Sequence, residues 1–332
     1  MKELTTVLDD EVVIFENGRP KVYDCLAADT VHELDGTHVR TLAAPGELLC
    51  RFATVNDVHF GETVCGLIDG SDVGPVFSVP PGAEPYPVVM NRGAIAEIAA
   101  MDPAVVVVKG DLTSTGVPEE YEQFRSAYEP MLGDRLYVVR GNHDAYHGHS
   151  FADIPSQEVV LPGVRLAIID TARLLQVGGS ISETQFEWLD ELASRSAEPV
   201  MVFGHHNIWN PDVDRRSAKF FGLNPDDSES LARLIARHAN IVGYFCGHTH
   251  RNHRQHLALT GDVPWVEVAC VKDFPGAWAE YRVYEGGIIH AMRRISTPEA
   301  LAWTELTRGM FRGAYGPLVF GRLEDRSFLI PT

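Results

Sequence analysis

The chain has 332 residues, 45% hydrophobic and 22% charged, the balance of a folded globular protein built on one large domain with additions. Its formal net charge of −18 repels polyanions, which argues against nucleic acid or an anionic membrane surface as partner, and no stretch is apolar and long enough to span a bilayer. The start, Met1-Lys2-Glu3-Leu4 running into Asp9-Asp10-Glu11, lacks the basic-then-apolar pattern of a secretory leader, so a cytoplasmic location is expected; the five scattered cysteines, at 25, 50, 65, 246 and 270, are expected as reduced, mostly buried thiols.

Residues 1–47 contain two hairpin signals, Asn17-Gly18 after an apolar run at 12–15 and Asp35-Gly36 before residues 37–40, and predict a small β appendage. From residue 48 to about 290, apolar strands alternate with helical stretches, the texture of an α/β domain. Strands are expected at 48–55, 104–108, 136–139, 166–169, 200–203 and 241–246. Helices are expected at 92–101, 118–132 and 231–238, with a further helix opened by the capping-box sequence Ser182-Glu183-Thr184-Gln185. The Gly- and Pro-rich stretch 61–87 reads equally as a lid over a site or as a surface insertion. The tail, 291–332, holds a helical stretch at 298–309 and then Gly313-Ala314-Tyr315-Gly316-Pro317. Its Trp303, Phe311 and Tyr315 are expected to be exposed, capping the domain or meeting a second subunit in a homo-oligomer.

Each informative strand stops at polar residues with metal-binding chemistry. The first ends in Asn56-Asp57-Val58-His59, the second leads through Gly110 to Asp111, and the third leads through Gly141 to Asn142-His143-Asp144. The strand at 200–203 ends in Gly204-His205-His206, and that at 241–246 ends in Gly247-His248-Thr249-His250. Ligands of α/β folds sit beyond the carboxyl ends of strands, so these five termini are expected to line one crevice. Asp-x-His alone arises by accident roughly once in a chain of this composition, but Gly-Asn-His-Asp does so only roughly a few times in a thousand. Carboxylate, imidazole and one amide oxygen without thiolate suit Mn, Fe, Zn or Co alike.

These blocks, in this order, resemble the calcineurin-like metallophosphoesterase superfamily over roughly residues 48 to 290. The resemblance implies a four-layer αββα sandwich of two mixed sheets flanked by helices. It implies one metal on Asp57, His59 and His250, a second on Asn142, His205 and His248, and Asp111 bridging both. A water shared by two such metals loses a proton near neutral pH and attacks phosphorus in line with the leaving oxygen. His143 would then face the leaving group, with Asp144 orienting it or raising its pKa, while His206 and Asn142 would lie near the phosphate. Asp170 reads as structural, and His147, His149, His253 and His256 either rim the cleft or are solvated.

Within the superfamily, Gly110-Asp111-Leu112-Thr113, Gly116, Glu119-Glu120-Tyr121 and Phe124 are similar to bacterial class III cyclic nucleotide phosphodiesterases and related glycerophosphodiesterases. That implies a small phosphodiester as substrate. Thr113-Ser114-Thr115-Gly116 stands where protein phosphatases carry Asp-Arg-Gly, and His143 stands where the branch that cleaves a lipid-linked UDP-sugar carries Arg, so neither branch fits. Asn56 departs from the Ser or Thr of many relatives. The alternatives are a phosphomonoesterase or a DNA exonuclease with the same ligands, and a non-catalytic scaffold, which the full ligand set disfavours.

Overall fold

A computed structural model describes residues 2–68, 71–217 and 219–332, with the backbone alone for Ile68, Ser71 and Asp72. Val106–Lys109, three valines and a lysine, is buried along its length, the signature of a strand covered on both faces, and it pairs in parallel with Leu48–Val55 and with Leu136–Val139. Antiparallel Ala277–Tyr284, Gly287–Arg294 and Ser327–Pro331 extend this first sheet to six strands. The second sheet runs Ser156–Leu161, Val164–Ile169, Val200–Phe203, Ile241–Cys246, Trp265–Glu267 and His253–Gln255, with parallel pairing in its centre.

Alternation along the strands decides what each face meets. Phe52, Val107 and Tyr281 of the first sheet face Leu166, Phe203 and Phe245 of the second, and Phe52 stacks on Tyr281 at 4.5 Å and meets Phe203 edge-on at 6.1 Å. The outer face of the first sheet, with Ala53, Val55, Val106 and Val108, is covered by Tyr86–Met101, Pro118–Leu132 and the C-terminal helices. That of the second, with Ala167, Val202 and Tyr244, is covered by Glu183–Arg195 and Pro225–Arg237. The layers are therefore helix, sheet, sheet, helix, as the resemblance implied.

Both hairpin turns form at Asn17-Gly18 and Asp35-Gly36, all four residues with positive φ, as two-residue turns of this kind require. The N-terminal strands dock on the first sheet through ion pairs: Arg282 Nη1 donates to Asp9 and Asp10 at 2.8 and 2.6 Å, and Arg308 pairs with Glu3. Two helices begin earlier than their periodicity shows. Tyr86–Met101 opens with Tyr86, Pro87, Met90 and Asn91 all buried, so its first turns carry no polar face to mark them. Pro225–Arg237 is started by Asn224, whose Oδ1 accepts from Asp227 N at 2.9 Å.

The stretch 61–87 is a hairpin, Val64–Ile68 with Ser71–Ser78, leading into the first of those helices. The tail aromatics are not exposed as expected: Trp303 and Tyr315 are buried and Phe311 packs against the same core, with Trp303 stacked on Tyr86 at 4.3 Å. Cys65, Cys246 and Cys270 are buried, Cys50 is half-buried, Cys25 is exposed, and all five are free thiols. Among the described residues no helix is long and apolar enough to cross a membrane.

The capping box is complete, with Ser182 Oγ accepting from Gln185 N at 3.3 Å and Gln185 Oε1 accepting from Ser182 N at 2.9 Å. Ser182→Ala is expected to lower stability by about 1 kcal/mol, seen as a lower urea midpoint at unchanged m-value; an unmoved midpoint removes the cap from the stability account.

Candidate metal centre

Both sheets deliver their strand ends to one rim. Asp57, His59, Asp111 and Asn142 come from the first, His205, His248 and His250 from the second. Asp57, His59, Asp111, His248 and His250 all hold φ between 50° and 69°, a strained conformation for residues with a Cβ. Such strain persists where surrounding structure over-determines it, and here the loops are zipped together: Asp57 N donates to Gly110 O at 3.1 Å, His59 N to Asp111 O at 2.8 Å and Gly247 N to His205 O at 3.0 Å. The glycines of the blocks make this approach possible. A Cβ on Gly110 would stand 2.4 Å from His205 Nδ1, and one on Gly141 would stand 2.1 Å from Asp111 Oδ1.

Ligating atoms of Asp57, His59, Asp111 and His250 lie within 4.8 Å of one another. Asp111 Oδ2 is 3.4 Å from His59 Nε2 and also 3.4 Å from His205 Nε2, so one oxygen lies close to both imidazoles. His205 Nε2 in turn lies 3.2 Å from Asn142 Oδ1, and the His205 and His248 rings are 5.1 Å apart. Partners behind these groups set their orientation. His205 Nδ1 is 2.8 Å from Lys109 O, which fixes the proton there and leaves Nε2 to ligate. His248 Nε2 is 3.0 Å from Phe221 O, which leaves Nδ1, and Asn142 Nδ2 donates to Tyr146 Oη at 2.6 Å, which leaves its Oδ1.

The residues fit two cations on three counts. His59 is buried with neither ring nitrogen hydrogen-bonded, an unmet demand of the kind a metal satisfies. Burial pushes His248 down to about 3 and His250 well below the ordinary histidine range, keeping both in the neutral form that ligates. Burial would lower His205 too, yet the Asp111 carboxylate draws it up to about 9, and Asp111 itself stays well below the usual carboxylate range despite its burial because His205 and His143 face it. The pocket thus calls for positive charge between these residues.

The other site residues fall out differently. His143 lies beside the centre, its ring 4.6 Å from that of His59 and its Nδ1 2.5 Å from Ser114 O, leaving Nε2 unused; burial lowers its pKa, against the pull of Asp111. The expected contact from Asp144 to that ring is replaced by others. Its carboxylate is buried and accepts from Leu112 N, Thr113 N, Thr113 Oγ1 and Gly141 N at 2.7 to 3.1 Å, tying the Asp111 loop to the Asn142 loop. His206 is fully buried with Nδ1 2.8 Å from Thr171 Oγ1 and Nε2 3.0 Å from Val177 O. Although it lies among His205 and His248, both its nitrogens have protein partners, and the expected phosphate contact has no free atom to make it. Asp170 pairs with Arg140, His253 bonds Glu267 at 3.0 Å, and His147, His149 and His256 are exposed. Asn56 Nδ2 holds Asp57 and the Val268 carbonyl.

Sequence reasoning missed Glu62 and Lys272. Glu62 Oε2 stands 3.8 Å from His59 Nδ1 and receives Lys272 Nζ at 2.6 Å. Lys272 arrives from a loop after the last parallel strand, so no local spacing announces it. A cavity of about 730 Å³ opens beside His248 and His250, and charged residues on its wall include Glu62, Asp214, Glu267 and Asp273 against Arg251 and Lys272. Both cations are paired, Arg251 with Glu267 at 2.8 Å and Lys272 with Glu62.

The profile of the calcineurin-like phosphoesterases matches residues 50–252. The chain is 26% identical over 190 residues to a probable cyclic nucleotide phosphodiesterase of Synechococcus sp., covering 55% of this chain and 72% of that protein. It is 29% identical over 161 residues to a glycerophosphodiester phosphodiesterase of Enterobacter lignolyticus (45% and 56%), and 26% identical over 164 residues to a cAMP/cGMP dual specificity phosphodiesterase of Mycobacterium tuberculosis (46% and 50%). The matches thus span about half the length of the latter two. Two solved structures share the fold: a dimetal phosphatase from Danio rerio (TM-score 0.57, 15% identity, 75% of this chain and 97% of that one) and a purple acid phosphatase from yellow lupin (TM-score 0.51, 12% identity, 88% and 72%). With its five motif blocks gathered at the strand ends of two packed mixed sheets and the family profile spanning more than half its length, the chain belongs to the calcineurin-like phosphoesterase family and is a phosphoric ester hydrolase.

Proposed function

We propose that this protein is a dinuclear-metal phosphodiesterase acting on small diesters of the cyclic nucleotide or glycerophosphodiester type. The observation that carries the reading is that neither cation on the wall of the cavity beside the centre is free: Arg251 is held by Glu267 and Lys272 by Glu62 and Asp273. A monoester near neutral pH carries roughly 1.5 to 2 negative charges and calls for a free cation beyond the centre, whereas a monoanionic diester needs none. The diesterase names of the relatives agree with this.

Asp57, His59 and His250 would hold one ion, Asn142, His205 and His248 the other, and Asp111 both. Two divalent ions, when bound, supply Lewis acidity at the phosphoryl oxygens and make hydroxide available near neutral pH. The chain's own residues do the rest. Asp111 and Asp57 set the charge of the centre, and the Lys109 and Phe221 carbonyls hold the imidazoles to one tautomer. Asp144 acts through the two loops it ties together, as a positioning residue. His143, with Nδ1 bonded to Ser114 O, presents Nε2 to the departing oxygen, where it donates a hydrogen bond or proton when protonated.

The test compares bis(4-nitrophenyl) phosphate with 4-nitrophenyl phosphate at one pH and one metal loading. The expected kcat/KM is higher for the diester. A monoester preference of tenfold, roughly 1.4 kcal/mol in the opposite sense, moves the protein to the phosphomonoesterase reading.

A further inference from the structure

The cavity beside His248 and His250 is lined in part by Met310, Phe311, Tyr315 and Leu318, from a segment beyond the 50–252 match to the family. That segment is held firmly against the centre. Trp303 Nε1 donates to Lys272 O at 3.0 Å, Phe274 N to Thr307 Oγ1 at 3.0 Å and Tyr315 Oη to Asp273 Oδ1 at 2.6 Å. Phe311 meets Tyr315 edge-on at 5.3 Å, and Leu318, which lines the cavity, keeps 59% of its surface exposed. Phe221 also lines the cavity, half-exposed, with its ring 5.2 Å from that of His248.

Asn207 belongs to this wall too. It is 5% exposed, and its Oδ1 has no hydrogen-bond partner. That oxygen has almost no exposed surface of its own, and the accessible wall is made by other side chains. Among the described residues that line the cavity, His143 does not appear. Since the leaving group is assigned to His143, an alcohol seated here is the one that stays on phosphorus. At about 730 Å³ the space suits a ligand well beyond glycerol. Beside the charged groups already named, the rings of Phe221 and Phe311 and the Leu318 side chain give this cavity an apolar stretch of wall that suits a flat ring system.

We propose, resting on the diesterase reading, that this cavity seats the retained alcohol of the diester, that it selects a ring-bearing, nucleoside-like group, and that Phe311 and Leu318 are the specificity-determining residues. The C-terminal segment, which the family match does not reach, then decides which diester is cleaved.

Thymidine 5′-(4-nitrophenyl phosphate) and methyl 4-nitrophenyl phosphate share a leaving group and differ only in the retained alcohol. With the metal-loaded full chain, kcat/KM is expected to favour the thymidine ester by tenfold or more. In the Phe311→Ala/Leu318→Ala variant, at unchanged metal content, that ratio is expected to fall at least fivefold, mainly through KM. Should the double variant lose metals, Leu318→Ser alone, at a solvent-exposed position, is read by the same ratio and is expected to lower it at least twofold. A wild-type ratio near one, or a ratio that the substitutions leave unchanged, overturns the inference while the diesterase reading stands. Hydrolysis of neither ester by metal-loaded protein overturns both.

Discussion

Asp111→Asn is expected to reduce the metal content from two ions per chain to one or none and to lower kcat/KM for bis(4-nitrophenyl) phosphate by about a thousandfold or more, roughly 4 kcal/mol. The reason is its place in the centre. A single oxygen, Asp111 Oδ2, lies 3.4 Å from His59 Nε2 and from His205 Nε2, so on the proposed assignment it would serve both ions. An amide there keeps the shape, and its oxygen can still accept from His143 N, as Asp111 Oδ1 does at 3.0 Å. What it removes is one of the two carboxylate charges, with Asp57, that balance two cations in a pocket walled by histidines. Repulsion between the ions is then no longer screened by an anion between them. Elemental analysis after reconstitution with Mn, Fe or Zn gives the stoichiometry, and thermal unfolding of the metal-free proteins separates metal loss from misfolding. Full occupancy of both sites in the asparagine variant would falsify the bridging assignment.

For His143→Ala the expected pattern is the reverse, metals retained and turnover lost. The side chain stands beside the centre, with its ring 4.6 Å from the His59 ring and its Nδ1 on the Ser114 carbonyl. Assistance to a leaving group by a general acid typically contributes roughly 10² to 10⁴-fold, and kcat is expected to fall by that amount for alkyl diesters such as cyclic nucleotides. Nitrophenolate needs little protonation to depart, so the loss is expected to shrink by at least tenfold with nitrophenyl diesters. An equal loss for both kinds of leaving group leaves His143 an electrostatic role and removes the proton transfer. A comparison with Asp144→Asn is informative, because Asp144 does not touch the imidazole and acts by tying two loops together. Its replacement is expected to lower metal affinity as well as turnover.

Local chemistry determined much of this protein. Strands that stop at Gly-Asp, Gly-Asn-His-Asp and Gly-His-x-His announce a metal centre because glycine is needed where backbones approach as closely as Gly110 does to His205, and because imidazole and carboxylate gathered at strand ends have few other uses. The hairpin turns at Asn17-Gly18 and Asp35-Gly36 and the cap at Ser182 were legible for the same reason: each is decided by residues within four positions of one another. Tertiary structure decided what depends on distant neighbours. Whether Asp144 would face His143 or the backbone, and whether His206 would keep a nitrogen free, depended on loops that arrive from 30 or so residues away, and in both cases buried backbone and side-chain groups claimed the atoms. The first turns of Tyr86–Met101 were hidden because residues 86–90 are all apolar or aromatic, which leaves no polar period to read before Asn91 and Arg92. The tail aromatics looked exposed because the surface that covers them, Tyr86 and the Lys272–Phe274 loop, lies far away in sequence, and only folding brings that segment to the wall of the cavity beside the metal centre.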